Sequence, residues 1–229
     1  MTVETFFDNQ VDLYRDAYGQ SPDFQARWAV WAGLIEQLRF ASCLDVGCGA
    51  GIFSFFVAER GIPTTGVDVS SRMVEACRAE ASRRGLTNAR FQQGSLPLTR
   101  ELGLGCFDLV VCSSVLEYVE PIDEAIASLA AATSPGGHLL VSFPNAQSWF
   151  RKYERLRYRV VGRPSYYQHV RRLFTAPEVA ARFARLGCSL LETHYYGDEP
   201  LLSRLGARVA PRFGKNLFVS VFHKPRDSR

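Results

Sequence analysis

The chain has 229 residues, of which 47% are hydrophobic, enough for one domain with a sizeable core. A net charge of +4 and a charged fraction of 22% are ordinary for a globular domain, and too mild to imply nucleic acid. We expect a cytoplasmic protein, because the N-terminus lacks the basic start and apolar run of a secretory signal. No stretch approaches about 18 continuous apolar residues, so no membrane-spanning helix is expected. The six cysteines form no Cys-x-x-Cys pair, which favours buried, reduced thiols and no metal site.

Strand and helix patterns alternate along the chain. Helices are predicted over 22–38, 51–60, 72–84, 122–133 and 175–186, and strands over 43–46, 63–69, 89–93, 107–114, 138–143, 189–196 and 217–223. Ser70 and Thr175 are the expected N-caps of the third and fifth helices, and "SPGG" is expected to close the fourth. This alternation predicts a single α/β domain over 1–229, with a doubly wound, seven-stranded, mostly parallel sheet.

A glycine-rich stretch, "LDVGCGAG", joins the first strand to the helix predicted over 51–60. Gly47, Gly49 and Gly51 allow a tight turn and the close approach of a ligand at the carboxyl edge of the sheet. A dinucleotide-binding loop would have the pattern Gly-x-Gly-x-x-Gly and would bind a pyrophosphate. Here the third glycine comes one residue early, and the Asp45 carboxylate would face an anion, so a ligand with a cationic amine fits better. Asp68, at the end of the second strand, is suited to a ribose diol.

"LDVGCGAG" followed by "GVDVS" resembles the class I S-adenosylmethionine-dependent methyltransferases, in their small-molecule branch. "FDLVVCSSVLEYVEP" and "SPGGHLLVS" resemble the fourth-strand and fifth-strand motifs of the same family, although many relatives have His where this chain has Tyr118. The resemblance implies a Rossmann-like methyltransferase fold with helical lid inserts, S-adenosylmethionine as cofactor and no metal.

The resemblance also implies roles for individual residues. Asp45 and the glycine loop would hold the methionine end of the cofactor, and Asp68 would bind the ribose hydroxyls. Val69 and Met73 would flank the adenine. The loop after the third strand usually carries an Asp that contacts the adenine amine, and here Ser95 or a backbone group must replace it. The expected cofactor-binding set is Asp45, Gly47, Gly49, Gly51, Asp68, Val69, Met73, Ser95, Leu96, Ser113, Tyr14 and Tyr18.

The N-terminal segment, 1–40, is expected to form a helical lid. Phe7, Val11, Tyr14 and Tyr18 fall at i, i+4, i+7 and i+11, on one face of a helix. This face either packs on the core or closes over the cofactor, with Tyr14 and Tyr18 against the sulfonium, because aromatic faces attract cations and closure excludes water.

Two inserts, 144–172 and 197–215, are expected to cover the acceptor site. Residues 151–172 include eight Lys or Arg and a single acid, Glu154, while Trp149, Tyr153, Leu156 and Val160 repeat at helical spacing. Three interpretations remain open: an apolar face packed on the core with solvated cations, a lid over an anionic or aromatic substrate, or peripheral docking on anionic lipid. No nucleic-acid module is recognisable, so no nucleic-acid partner is expected.

Methyl transfer to an oxygen requires removal of a proton. By the resemblance, the passage "YYQHVRRLFT" lines the acceptor pocket, and our hypothesis is that His169 is the general base or a positioning group. Glu117 and Tyr118, just past the fourth strand, are the next candidates. The other three histidines fall in predicted strands and are expected to be structural, with His138 at the start of one.

We therefore expect an S-adenosylmethionine-dependent methyltransferase acting by O- or N-methylation on a small aromatic or anionic metabolite. One alternative is an enzyme of the same fold doing non-methyl chemistry, such as cyclisation of the cofactor. Another is a non-catalytic cofactor-binding or membrane-docking module. Methylthioadenosine as a product would indicate cyclisation, and S-adenosylhomocysteine would indicate methyl transfer.

Overall fold

A computed structural model of the chain describes residues 2–9, 22–198 and 210–226. The helices are α1 (Val3–Asp8), α2 (Pro22–Gln37), α3 (Ile52–Ala58), α4 (Ser71–Arg84), α5 (Ile122–Ala132), α6 (Trp149–Val161), α7 (Ala176–Arg185) and α8 (Pro211–Gly214). The strands are β1 (Cys43–Val46), β2 (Thr64–Asp68), β3 (Ala89–Gln93), β4 (Phe107–Ser113), β5 (Thr133–Pro144), β6 (Ser189–Asp198) and β7 (Lys215–His223). Short 3-10 turns lie at Arg100–Leu102, Leu116–Tyr118 and Ser165–His169.

The seven described strands form one sheet in the order β3-β2-β1-β4-β5-β7-β6. Strands β1 to β5 pair in parallel, and β7 runs antiparallel to both β5 and β6. The predicted doubly wound, mostly parallel sheet is confirmed. The strand order reverses between β1 and β4, and a crevice outside the carboxyl ends of two such strands is where open α/β sheets bind ligands.

Helices cover both faces of the sheet, so successive strand residues are buried on opposite sides. Leu109 packs in the cluster formed with α2 and α3, where Trp31 is fully buried, while its neighbour Val110 packs in the cluster formed with α5 and α7, around Phe183. A strand buried on both faces needs apolar side chains at consecutive positions. This explains why β4 is continuously apolar from Leu109 to Cys112 and does not alternate there.

Both predicted helix N-caps are confirmed. The Ser70 hydroxyl accepts a hydrogen bond of 3.1 Å from the Met73 N–H, and α4 begins at Ser71, one residue before the predicted start. Thr175 caps α7 in a reciprocal arrangement, because its hydroxyl accepts from the Glu178 N–H while the Glu178 carboxylate accepts from the Thr175 N–H at 2.8 Å. These caps satisfy backbone donors that would otherwise be orphaned.

The expectation for "SPGG" is wrong in one respect. α5 ends at Ala132 and β5 begins at Thr133, so the Pro-Gly stretch belongs to the strand and does not form a loop. The pairing of β4 with β5 jumps from Phe107↔Thr133 to Leu109↔His138, which places the extra residues in a bulge. His138 consequently lies inside the strand and not at its start.

The six cysteines are all free, and five are buried as predicted. Cys106 is exposed, which corrects the expectation for that residue, because it lies in the loop before β4 and not within the apolar run. In the part of the chain that the structure describes, no helix is long and apolar enough to cross a membrane.

Candidate functional site

A cavity of about 970 Å³ opens at the carboxyl edge of the sheet, at the upper end of the range for small-molecule sites. The loops after β1, β2, β3 and β4 form one side of it, and α1, α6 and the start of β7 form the other. The predicted site residues that line it are Gly47, Gly49, Asp68, Val69, Met73, Ser95, Leu96, Ser113, Glu117 and Tyr118.

Gly47 is at a position that only glycine can occupy. Its φ of +69° lies in the left-handed region, and a Cβ atom there would stand 2.1 Å from Cγ2 of Val115. The end of β1 and the turn after β4 therefore meet at a distance that excludes any side chain. Gly51, with φ +76°, is the N-cap of α3 and lies behind the cavity wall.

The backbone donors of the glycine loop are engaged within the protein. The N–H groups of Gly47 and Cys48 donate to the Val67 carbonyl at 2.7 and 3.1 Å, and the Gly51 N–H donates to the Cys48 carbonyl at 2.9 Å. The Gly49 N–H donates to the Asp68 carboxylate at 2.8 Å. A phosphate-binding loop points such donors at its ligand. The geometry thus agrees with the prediction that the loop does not bind a pyrophosphate.

Asp68 lines the cavity at the end of β2. One carboxylate oxygen accepts from Gly49, and the other accepts from the Ser70 N–H at 2.9 Å. Burial raises the pKa of Asp68, and the two N–H donors oppose that shift. Each carboxylate oxygen has more than one acceptor site, so the side chain fits a ribose diol. Val69 and Met73 stand beside it on the apolar part of the wall.

Asp45, which the resemblance assigns to the methionine end of the cofactor, does not line the cavity. Its side chain is 1% exposed, and one oxygen accepts from both the N–H and the hydroxyl of Ser54, at 3.1 and 2.6 Å. Burial raises the pKa of Asp45 to about 6, while the Ser54 hydrogen bonds act against the shift. The carboxyl group therefore joins β1 to the start of α3 and supports the glycine loop from behind.

Arg27 of α2 lines the cavity beside the loop, and its guanidinium donates to the carbonyl and the hydroxyl of Ser113 at 3.3 and 2.5 Å. Sequence reasoning missed this residue, because a single cation in an otherwise apolar helix has no distinguishing pattern. Sequence reasoning also missed Ser114, which follows Ser113 in the chain. It has φ +55° although it is not glycine, and its N–H donates to the Ser142 hydroxyl. Such backbone strain is concentrated at functional sites.

Glu117 is a buried acid of the cavity wall with a raised pKa. It is 2% exposed, and its Oε2 atom has no hydrogen-bond partner within the described residues. Burial raises the pKa of Glu117 to about 7, against the opposing influence of its own N–H and of the charges on Arg27 and Arg151. A carboxyl group with that pKa exchanges its proton near neutral pH, as a general base must.

The insert side of the cavity carries a polar group of three side chains, the Arg151–Glu154–Tyr166 cluster. Nη1 of Arg151 donates to Glu154 at 2.5 Å and to the Tyr166 hydroxyl at 2.7 Å, and that hydroxyl donates to the other Glu154 oxygen at 2.9 Å. Nε of Arg151 donates to the Asn216 carbonyl at 3.3 Å. The sequence placed Arg151 and Glu154 in a basic segment, but did not show that they pair inward.

α1 covers one side of the cavity with Val3, Phe6 and Phe7. The Asp8 side chain accepts a hydrogen bond of 2.5 Å from the Ser70 hydroxyl, which joins α1 to the cap of α4. The Phe7 ring lies 5.6 Å from that of Tyr118. The helix face predicted through Val11, Tyr14 and Tyr18 lies outside the described residues.

His169 is not brought to the cavity wall. Its side chain is buried, and its ring lies 4.9 Å from that of Phe6, which itself lines the cavity. Burial lowers the pKa of His169. Among the described residues no group of three His, Cys, Asp or Glu side chains could hold a metal ion.

Comparison with known proteins gives the family. A model described as a methyltransferase domain matches residues 25–193, well over half of the chain. The chain belongs to this family. The match extends from α2 to β6, and so includes every residue of the glycine loop and of the turn after β4.

Curated methyltransferases are similar to parts of this chain. A ubiquinone biosynthesis O-methyltransferase of Pectobacterium atrosepticum is 32% identical over 116 residues, which are 50% of this chain and 48% of that protein. One from Coxiella burnetii is 33% identical over 132 residues, 56% and 53% of the two chains. The chain thus spans about half the length of the curated relatives it matches. Among solved structures, magnesium protoporphyrin IX methyltransferase from Synechocystis PCC 6803 with bound SAH has a TM-score of 0.72 and 19% sequence identity to this chain. The match covers 97% of this chain and 98% of that protein's chain, which shows the shared fold.

Proposed function

We propose that the protein transfers a methyl group from S-adenosylmethionine to a hydroxyl group of a small aromatic or anionic molecule. The observation that carries this proposal is the buried Glu117 carboxyl, with its pKa raised to about 7, at the wall of the cavity next to the glycine loop. An oxygen acceptor needs a base of that kind, whereas an amine acceptor does not. The similarity to ubiquinone biosynthesis O-methyltransferases supports the same choice.

S-adenosylmethionine supplies an electrophilic methyl group on its sulfonium sulfur. The residues present fit such a molecule. Asp68 would accept hydrogen bonds from the ribose, and Val69 and Met73 would pack on the adenine. The Arg27 guanidinium, beside the glycine loop, would pair with the carboxylate of the methionine end. The loop, whose donors are engaged, would favour a cationic amine over an anion.

In the same cavity, Glu117 would accept the proton of the acceptor hydroxyl as the oxygen attacks. Burial raises the pKa of the carboxyl to about 7, so both its protonated and its ionised forms are populated near neutral pH. The neighbouring charges of Arg27 and Arg151 favour the ionised form. Phe7 and Tyr118 form an aromatic wall beside it, suited to a flat acceptor and to a sulfonium cation. We propose α1 as the lid that excludes water from this space.

The Arg151–Glu154–Tyr166 cluster would bind a polar substituent of the acceptor and set its orientation. We also propose a reducing, cytoplasmic environment, because all six cysteines are free and five are buried.

The test is product analysis with S-adenosylmethionine and matched acceptors, a catechol and the corresponding aromatic amine. We expect S-adenosylhomocysteine and an O-methylated catechol. Glu117→Gln should lower kcat by about 100-fold or more, whereas Glu124→Gln, at an exposed carboxyl in the first turn of α5, should leave it unchanged. Preferred methylation of the amine, or methylthioadenosine from the cofactor alone, would contradict the proposal.

A further inference from the structure

The outer face of α6 is apolar and unusually exposed. Trp149, Tyr153, Leu156 and Val160 are 71%, 57%, 61% and 75% exposed. Their spacing of i, i+4, i+7 and i+11 puts them in one narrow stripe along the helix. The face opposite the stripe is held to the protein, because Glu154 is buried in its polar cluster and the Tyr158 ring lies 5.5 Å from that of Tyr167. A surface helix of a globular protein normally buries its apolar face. Of the three interpretations that the sequence left open for this segment, an apolar face packed on the core is excluded by the exposure of these side chains.

Cations flank the stripe on both sides. At about 100° per residue, Lys152 and Arg159 fall along one edge of the stripe and Arg157 along the other. Arg155 and Arg163 add two further exposed cations. The only acid between 151 and 172 is Glu154, and it is paired inward with Arg151. The accessible face of the segment therefore combines apolar side chains with uncompensated positive charge.

We infer that the outer face of α6 docks on the surface of an anionic lipid bilayer. A helix with Trp and Leu on one face and Lys and Arg beside them lies in the interface plane, with the apolar side chains among the acyl chains and the cations at the headgroups. Trp149 stands at the first position of the helix, with the Lys152 ammonium 5.7 Å from its ring, where both would meet the headgroup layer.

Charge argues against a second copy of this chain as the occupant. A two-fold interface places the same patch on both sides, so the cations around each stripe would face cations. An anionic bilayer offers complementary charge together with an apolar interior. The same helix contributes Arg151 and Glu154 to the cavity wall, so a docked protein would hold its cavity next to the membrane. The docking itself needs neither the cofactor nor the transfer reaction.

The test is co-sedimentation of the full chain with vesicles of pure phosphatidylcholine or of phosphatidylcholine with about 30% phosphatidylglycerol, which gives the bilayer a negative surface potential. We expect binding to the anionic vesicles, at least about 10-fold weaker binding to the neutral ones, and weakening by salt. Leu156→Gln with Val160→Gln should reduce binding to the anionic vesicles by about 10-fold or more. The matched control is Leu191→Gln, at an exposed leucine of β6.

The charges are tested separately. Arg155→Gln with Arg159→Gln should weaken binding and flatten its salt dependence, while Arg90→Gln with Arg185→Gln, two exposed cations elsewhere, should not. Trp149 fluorescence should shift to the blue on anionic vesicles, and Trp149→Phe should remove that shift. Equal binding to both vesicle types, no binding, or unchanged binding of the stripe variant would overturn the inference. A concentration-dependent dimer that the stripe variant abolishes would assign the face to self-association instead.

Discussion

The side of the cavity that we propose for the cofactor is shaped by backbone, whereas the side that we propose for the acceptor is shaped by long side chains. At the glycine loop, Gly47 approaches Val115 so closely that no side chain fits, and the loop donors bond to the Val67 carbonyl and to Asp68. Across the cavity, the Arg151–Glu154–Tyr166 cluster depends on the reach of three side chains from α6 and the following turn. The backbone contact at Gly47 leaves no room for another residue. A side-chain cluster, in contrast, can be altered by substituting one residue at a time. We therefore expect the first side to suit one invariant ligand, and the second to suit an acceptor that differs between proteins.

The sharpest test of that contrast is at Gly47. Gly47→Ala should reduce affinity for S-adenosylmethionine by about 100-fold or more, because the new Cβ would collide with Val115 at a strained φ. Titration calorimetry measures the loss. Gly61→Ala is the matched control, since Gly61 has φ +79° but open space around its Cβ position. If both variants bind the cofactor equally well, close packing at Gly47 does not determine the affinity for the cofactor.

The second test concerns the pH dependence that Glu117 imposes. With a pKa of about 7, its ionised form increases as the pH rises, so kcat should fall below pH 7 and level off above it. Glu117→Gln should remove this limb of the profile, whereas His169→Ala should preserve it and change kcat only a few-fold, because His169 does not reach the cavity wall. Loss of the limb in His169→Ala would assign the base to the histidine.

The same residue affects stability. The folded state binds the Glu117 proton more tightly than the unfolded chain, so this contribution to stability is complete below the ordinary pKa of 4.5 and is lost as the pH rises through about 7. Glu117→Gln should therefore raise the free energy of unfolding at pH 8, on the order of 3 kcal/mol. Urea unfolding at pH 5 and pH 8 measures this difference, and an unchanged pH 8 value would mean that the carboxyl is solvated.

The acceptor side should respond differently to mutation. Tyr166→Phe removes a hydroxyl that bonds to both Arg151 and Glu154, so KM for the acceptor should rise about 10-fold while cofactor affinity stays constant. Tyr167→Phe is the matched control, because the buried Tyr167 hydroxyl has no partner within the described residues. An equal loss of cofactor affinity in Tyr166→Phe would show that the two sides do not act separately.

The smallest effect is expected at Ser70, which joins the two sides through α1. Ser70→Ala should lower the free energy of unfolding by about 1 kcal/mol, because the N-cap of α4 and the hydrogen bond to Asp8 are both lost. Thermal unfolding measures it, with Ser71→Ala as the control at the next position. Equal melting temperatures for the two variants would show that the Ser70 cap does not contribute to stability.

The fold and the cofactor side were largely predictable from the sequence, for a physical reason. Apolar strands, N-caps such as Ser70 and Thr175, and the glycine loop are local features that involve residues close together in the chain. Other parts of the cavity wall depend on contacts between distant segments, such as Arg27 with Ser113 and Arg151 with Asn216. No local pattern distinguishes those residues. Asp45 shows what a motif leaves open, because the motif implies a role at the cofactor but does not predict the hydrogen bonds of the carboxyl to Ser54.

The engaged donors of the glycine loop also have a consequence for selectivity among metabolites. ATP and NAD share adenosine with S-adenosylmethionine and are abundant in cells, so Asp68, Val69 and Met73 alone would not discriminate against them. They differ in carrying phosphates, and the N–H groups of Gly47, Cys48 and Gly49 already bond to protein acceptors. A phosphate placed against these three groups would give up part of its hydration and gain no hydrogen bond from them. We therefore expect the loop to favour S-adenosylmethionine over the commoner adenine nucleotides by withholding donors from a phosphate.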